Sequence, residues 1–420
     1  MKKSGKLLTS IMLSATLLVP AMGVSANGDS VDQKGNETFR VLIDSQNQKE
    51  LQNAKSKYGV QWDFAGEGFT VDMNEKQYEA LQKNKNIKVE KVPEFTIEKS
   101  SSKPEAVYQA MAASQSTPWG IKAIYNDSSL TRTSGGSGIN VAVLDTGVNV
   151  SHPDLKNNIE QCKDFTTSTS FVNGSCTDRQ GHGTHVAGSA LADGGTGSGV
   201  YGVAPDADLW AYKVLGDNGS GSADDIAAAI RHAADQATSL KTKVVINMSL
   251  GSSGESSLIT NAVNYAYSKG VLIIAAAGNE GPYQGSIGYP GALPNAVAVA
   301  ALENVIQNGT YRVADFSSRG DSSTDGDYVI QKGDVEVSAP GASIYSTWYN
   351  GGYSTISGTS MASPHVAGLA AKIWAANPSA SNATIRKDLQ NRARNYDILS
   401  GSGAGVGDDY ASGFGFARVR

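Results

Sequence analysis

The chain has 420 residues, 47 of them glycine, with 7% aromatic residues and a formal net charge of −5. That length accommodates two or three domains around one sizeable core, and the glycine content suits a tightly turned α/β protein rather than a fibrous or disordered chain. Mild acidity argues against a nucleic-acid binder, which needs a basic face.

The first 26 residues, MKKSGKLLTSIMLSATLLVPAMGVSA, read as a secretory signal peptide. A basic start precedes an apolar run, and V-S-A at 24–26 is a small-residue cleavage site; a membrane anchor is the alternative. Loss of Lys2, Lys3 and Lys6 with the leader takes the net charge to −8. No other stretch approaches the ~20 apolar residues of a spanning helix. The expectation is a secreted, extracellular protein with no membrane association.

Residues 37 to about 98 form a unit of different character. FRVLID and GFTVDM read as strands, SQNQKELQNAKSKYG and NEKQYEALQKNK as helices, and IKVEKVPEFTIE as a final strand region. Helices set between strands predict a small ferredoxin-like α+β module. KSSSKPEAVYQAMAASQS, small and polar, follows as a linker.

From Trp119 the pattern changes. INVAVLD, VVINMSL, VLIIAAAG and NAVAVAAL are apolar runs of strand length. HGTHVAGSALA, SADDIAAAIRHAADQA and SLITNAVNYAYSKG lie among them with helical spacing, and Ser222 with Asp225 resembles a capping box. Alternating strands and helices predict an α/β fold whose parallel sheet is flanked by helices on both faces. Function in such sheets sits at the carboxyl ends of the strands. Cys162 and Cys176 are expected to pair, closing a polar loop and stabilising it by about 3 kcal/mol on the chain-entropy model. Two free thiols or half a metal site is the alternative. No C-x-x-C and no H-E-x-x-H is present, which argues against a catalytic zinc.

Four polar residues stand at these strand ends and helix starts. Asp145 terminates INVAVLD, where an acid needs a partner or its pKa climbs; a helix cap is the plainer reading. His182, between glycines in GHGTHVAG, has backbone that a substrate can approach closely. His185, three residues on, reads as a packed helix residue rather than half a metal site. Asn279 follows VLIIAAAG and can present amide donors to a cleft; a turn asparagine is the plainer reading. Ser360 opens the helix of GTSMASPHVAG, beside the positive end of its dipole. Pro364 is expected to be tolerated as a first-turn residue. A serine hydroxyl needs a base, and the base an orienting acid; together the set supplies nucleophile, base, acid and oxyanion donor.

DTGVNVSHPDL, GHGTHVAG, NMSLG, AAAGNEG and GTSMASPHVAG fall in the order of the motifs of the subtilisin family of serine peptidases, which residues 115–420 resemble. The resemblance implies a broad-specificity serine endopeptidase that acts on polypeptides and is expected to be monomeric. Residues 27–110 would be its propeptide, an inhibitor and folding chaperone at 37–98 plus linker. Residues 111–420 would be the catalytic domain, and the mature N-terminus would fall between about 106 and 114. Ser360 would attack the scissile carbonyl, His182 shuttle its proton, and Asp145 orient the imidazole. Asn279 and the Ser360 N–H would hold the oxyanion. Gly219, Ser220 and Gly221 would form one edge of a peptide-binding cleft, and Ser249, Leu250 and Gly251 the other. Ala276, Ala277 and Gly278 would wall the principal pocket, with Gly288 at its base and Glu280 at its rim. Ca²⁺ would be bound by Gln115, Asp154, Thr196, Ser198 and Val200. In the insertion DSSTDGDYVIQKGD, Asp321, Asp325 and Asp327 are candidates for a further Ca²⁺, a solvated loop being the alternative. A catalytically silent peptide-binding relative is the rival class; the intact four-residue set argues against it. An esterase of the α/β-hydrolase type would need a different residue order and a G-x-S-x-G elbow.

Overall fold

Pro93 divides the strand region expected at the end of the N-terminal module, and the two halves go to different sheets. The computed structural model describes residues 30–31, 37–97, 117–167, 170–195, 197 and 199–419. The expected signal peptide, the linker, the mature N-terminus and the candidate ligands Gln115, Thr196 and Ser198 lie outside the described residues. The module comprises β1 (Ser30–Val31), β2 (Glu37–Asp44), α1 (Gln48–Tyr58), β3 (Phe69–Met73), α2 (Glu75–Gln82) and β4 (Lys88–Lys91). β2 pairs antiparallel with β3 on one side and β4 on the other. Residues 61–64 fold back onto 68–70, with Gln61 N donating to Thr70 O at 2.7 Å and Thr70 N to Trp62 O at 2.8 Å. This is the expected α+β arrangement plus one short arm that carries no alternating pattern. Asn47 and Asn74 cap the two helices, and Val41, Ile43, Leu51, Phe69, Val71 and Met73 form the module's own core. β5 (Glu94–Thr96) leaves this sheet altogether.

The main domain runs through α3 (Trp119–Tyr125), β6 (Ile139–Asp145), β7 (Ile159–Asp164), β8 (Val172–Asn173), α4 (His182–Leu191), β9 (Asp208–Lys213), β10 (Ser220–Ser222) and α5 (Ala223–Leu240). It continues through β11 (Lys243–Met248), α6 (Ser257–Ser268), β12 (Leu272–Ala276), β13 (Val297–Gln307), β14 (Thr310–Val313) and β15 (Val337–Pro340). β16 (Ile344–Thr347), β17 (Tyr353–Ile356), α7 (Thr359–Ala376) and α8 (Asn382–Arg394) complete it. Seven strands run parallel in the order β7-β9-β6-β11-β12-β13-β15, with β8 and β14 added antiparallel.

The strands are apolar on both alternating faces, so helices must cover both. Val141, Val143 and Val245 face the cluster containing Val186 and Ala187 of α4 and Val366 and Ala370 of α7. Ala142, Leu144 and Ile246 face Ile226 and Ile230 of α5 and Ile259 of α6. β6 lies where the connections diverge: its chain goes first to β7 and β9 on one side, then returns through α5 to β11 on the other. The crevice at its carboxyl end is a topological switch point. Cys162 and Cys176 are disulfide-bonded, as expected.

The capping box expected at α5 does not form. Ser222 is the N-cap residue but makes no side-chain cap bond, and the Asp225 carboxylate is engaged across the interface with the N-terminal module. α8 is tied to β15 through Glu336, which is fully buried and receives Arg386 Nη2 at 2.6 Å and Nε at 2.9 Å. Gln390 Nε2 donates to the same carboxylate at 2.7 Å. Arg386→Ala would strand a buried carboxylate, at a cost of about 3–5 kcal/mol. The expected result is a matching loss of unfolding free energy in guanidinium, read on a Ser360→Ala background to prevent self-digestion.

Candidate active site

Asp145 is the last residue of β6 and is fully buried. Its Oδ1 and Oδ2 lie 2.8 and 3.0 Å from His182 Nδ1, and Oδ1 also accepts from Thr146 N at 2.7 Å. His182 is the first residue of α4, whose start is drawn unusually close to β6. A Cβ on Gly183 would lie 2.1 Å from Gly147 O and 3.1 Å from Asp145 Oδ1, so only glycine allows the approach. Asp178, which the sequence reading did not single out, anchors that helix start. It accepts from Gly181 N, Thr184 N, Thr184 Oγ1 and Thr146 Oγ1 at 2.6–3.0 Å. It lies three residues before the N-cap Gly181, so it braces the helix start from the preceding loop rather than as the cap itself. His185 is packed as expected: Nε2 lies 2.9 Å from Ile344 O, and burial pushes its pKa down to about 3.

Leu144 pairs with Met248, so the next residues on these strands, Asp145 and Ser249, leave the sheet side by side. Ser249 carries the second half of the site. Its carbonyl accepts from Ser360 Oγ at 3.1 Å, while its own Oγ donates to Ser360 O at 2.7 Å. Pro364 is the reason for the second bond. α7 begins at Thr359, so Pro364 lies in the second turn rather than the first, contrary to the sequence expectation. Its missing N–H would have bonded the carbonyl four residues back, which is that of Ser360. The Ser249 hydroxyl takes that acceptor instead. Asn247 and Ser363 complete the lock: Ser363 Oγ donates to Asn247 Oδ1 at 2.7 Å, and Asn247 Nδ2 to Ser249 Oγ at 3.0 Å. Asn279 Oδ1 accepts from Thr359 N and Oγ1 at 3.0 and 3.1 Å. That fixes the amide's orientation and puts Nδ2 toward Gly358, 3.4 Å from where a Cβ there would lie.

A cleft beside this site holds β5 of the module. β5 pairs antiparallel with β10 through Ser220↔Thr96 and Gly221↔Phe95, and Thr96 bridges Gly251 on its other side. Ser220, Gly221 and Gly251 thus flank β5 on its two sides, with Leu250 packed in the core beneath. A cavity of about 620 Å³ opens next to Thr96 and Ile97. Gly251, Ser252, Gly278, Glu280 and Gly288 line it. Ala276 and Ala277 do not: both are buried behind it, Ala277 against Ile287, Ala292 and Ala298.

The module's body rests on the start of α5. Arg40 Nη1 lies 2.5 Å from Asp224 Oδ2 and 3.6 Å from Asp225 Oδ1. Thr70 Oγ1 donates to Asp224 at 2.6 Å and Trp62 Nε1 to Asp225 at 2.7 Å. Burial, reinforced by the neighbouring Asp224, pushes the Asp225 pKa up to about 8. The disulfide loop joins this surface, with Phe165 against Trp62 and Thr167 O accepting from Gln61 Nε2 at 3.0 Å.

The expected calcium residues divide. Asp154 is buried against the glycine-rich loop; its Oδ1 lies 1.9 Å from where a Cβ on Gly199 would be and 2.5 Å from one on Gly195. Val200 N donates to Asp154 Oδ2 at 2.8 Å. Tyr353 Oη also donates to Oδ2, at 3.0 Å, so Asp154 supplies one buried carboxylate, a hard oxygen donor of the type Ca²⁺ takes. Asp321 and Asp325 line a small cavity with Asp334, at the end of the same insertion, and with Asp408 and Asp409, which are distant in sequence. Burial, with Asp409, Asp408 and Asp334 nearby, pushes Asp325 up to about 6. Asp327 is not on that cavity; its carboxylate accepts from Val329 N and Gln331 Nε2. Among the described residues, no three acidic, histidine or cysteine side chains already converge on a metal-sized point.

The subtilase family model matches residues 136–415. The chain is 78% identical over all 420 residues to a subtilisin of Bacillus sp. strain TA39, covering 100% of both chains. It is 42% identical over 294 residues to subtilisin Savinase of Lederbergia lenta, covering 70% of this chain and 97% of that one. The solved structure of the S41 psychrophilic protease, 81% identical, superposes with a TM-score of 0.73 over 73% of this chain and all of its own. Sphericase, 75% identical, gives the same score and coverage. The sheet, the buried acid–imidazole pair and these relatives agree: the chain belongs to the subtilase family and is a serine endopeptidase.

Proposed function

We propose that this chain is the precursor of a secreted, calcium-stabilised endopeptidase of broad specificity, which frees itself from an N-terminal inhibitory module. The reading rests on the Asp145–His182 hydrogen bond at 2.8 Å, on a strand end adjacent to the one that holds Ser360. Asp145 accepts a hydrogen bond from Nδ1–H, which fixes the tautomer and leaves Nε2 as the base. Ser360 Oγ turns from Ser249 O to His182, loses its proton there and attacks the scissile carbonyl. The proton returns to the leaving amine, and water hydrolyses the resulting ester by the same route. The Asn279 amide and the Ser360 N–H hold the oxyanion at the positive end of an 18-residue helix. The cleft takes a peptide as a strand between Gly219–Gly221 and Gly251, through main-chain bonds that read little side-chain sequence.

Residues 1–26 direct export in this reading, 27–110 form the propeptide and 111–420 the enzyme. The propeptide inhibits by occupying the cleft with its own strand, and is held there by Arg40, Trp62 and Thr70 on the Asp224–Asp225 pair. Ca²⁺ would be held by Asp154 and the backbone around Val200, together with Gln115, Thr196 and Ser198. The cavity of Asp321 and Asp325 would hold another, neutralising carboxylates that otherwise repel one another. Both ions would be structural.

Hydrolysis of denatured casein is expected to stop after treatment with a serine-directed phosphonylating reagent; undiminished hydrolysis would remove the reading. Asn279→Ala should lower kcat by about 10²–10³ with little change in KM, the loss known for such a donor in this family.

Calcium binding only to the native state stabilises it by about 2.7 kcal/mol at a hundredfold excess over Kd. A chelator should therefore speed thermal inactivation, and added Ca²⁺ should reverse the effect. An unchanged rate would count against structural calcium.

A further inference from the structure

The way β5 lies in the cleft identifies a particular peptide bond. Thr96 is held on both sides: it pairs with Ser220, and exchanges N–O bonds of 3.0 and 2.9 Å with Gly251. Ile97 N donates to Gly219 O at 2.8 Å. Phe95 pins this register. It is fully buried in the cluster with Leu215, Leu250 and Ile226. A slip of one residue would replace it there with Glu94 or Thr96, since alternate residues point to opposite faces. A slip of two would require Pro93 or Ile97 in its place.

An antiparallel register runs in opposite directions on its two strands. If Thr96 faces Gly251, the position facing Ser249 is two residues beyond Thr96. Ser249 is the residue whose carbonyl lies 3.1 Å from Ser360 Oγ. Counted along the sequence, the residue two past Thr96 is Glu98. Residues 98–116 lie outside the described residues, so the assignment is a count along the chain from the Thr96–Gly251 pair.

We propose that the first bond the precursor cuts in itself is Glu98–Lys99, and that the mature N-terminus expected between about 106 and 114 arises from a later, separate cut. This rests on the self-processing reading above. Ser360 Oγ forms an ester with the Glu98 carbonyl carbon as the bond to the Lys99 nitrogen breaks. The serine proton passes through His182 to the new Lys99 amine. Water then cleaves the ester, restoring the hydroxyl and leaving Glu98 as the module's C-terminal carboxylate. Register, not the residue at the cut, selects the bond. Glu280 on the neighbouring cavity is a poor match for a glutamate, and a tethered strand needs no such match because its effective concentration is high.

The test follows freshly made full-length precursor by intact mass and N-terminal labelling from the earliest times. The expected first products are a fragment ending at Glu98 and a chain beginning at Lys99, before any terminus appears in 106–114. A precursor with two alanines inserted between Ile97 and Glu98 should first be cut between those two alanines. The proposal is overturned if the wild-type chain is cut first in 106–114 with the Glu98–Lys99 bond intact. It is also overturned if the insertion chain is still cut first at Glu98–Lys99. A Ser360→Ala precursor keeps the two ideas apart. If it matures alone, self-processing itself fails; if it stays whole while wild type is cut first elsewhere, only the bond assignment fails.

Discussion

The pairing of Leu144 with Met248 is the constraint from which the site follows. It sets Asp145 and Ser249 side by side where β6 and β11 leave the sheet, at the point where the chain's connections diverge. Asp145 then collects His182 from α4, and Ser249 collects Ser360 from α7. Both helices pack on the same face of the sheet, against the same valines. The site's geometry is thus inherited from a ladder of buried aliphatic residues, each fixed by covered faces above and below.

The start of α7 is where this inheritance is most finely adjusted. A proline in the second turn frees the carbonyl of Ser360, and a serine from the neighbouring strand donates to it. Ser249 so holds both ends of the same residue, the carbonyl through its Oγ and the hydroxyl through its own carbonyl. Asn279 holds Thr359, one residue earlier. These polar contacts fix the register of the helix start on the sheet.

The sequence reading succeeded where function is written in short local strings. DTG, GHGTH and GTS each announce an unusual residue at an element boundary, and buried strands such as INVAVLD carry long apolar runs. It failed where a residue's role depends on a distant partner. Asp178, Asn247 and Ser363 are ordinary polar residues until the fold brings them to His182 and Ser360. Asp408 and Asp409 cannot be grouped with Asp321 by inspection, since up to 88 residues separate them, whereas Asp334 closes the same acidic insertion and was there to be read. Asp225 looked like a capping residue because its spacing from Ser222 fits one; its carboxylate is instead engaged with the neighbouring module. Ala276 and Ala277 adjoin Gly278 in the sequence but turn inward, into the core.

The cleft grips a strand through amides and carbonyls that every polypeptide possesses, as the pairing of Thr96 with Ser220 and Gly251 illustrates. A grip of that kind has no means of telling foreign chain from kin. Immunity from digestion by sibling molecules then has to be conferred by stiffness. A surface loop that cannot straighten over several residues cannot enter. The 321–334 excursion, cross-braced by Thr324 on Asp334 and by Tyr328 on Asp408, is built in that manner.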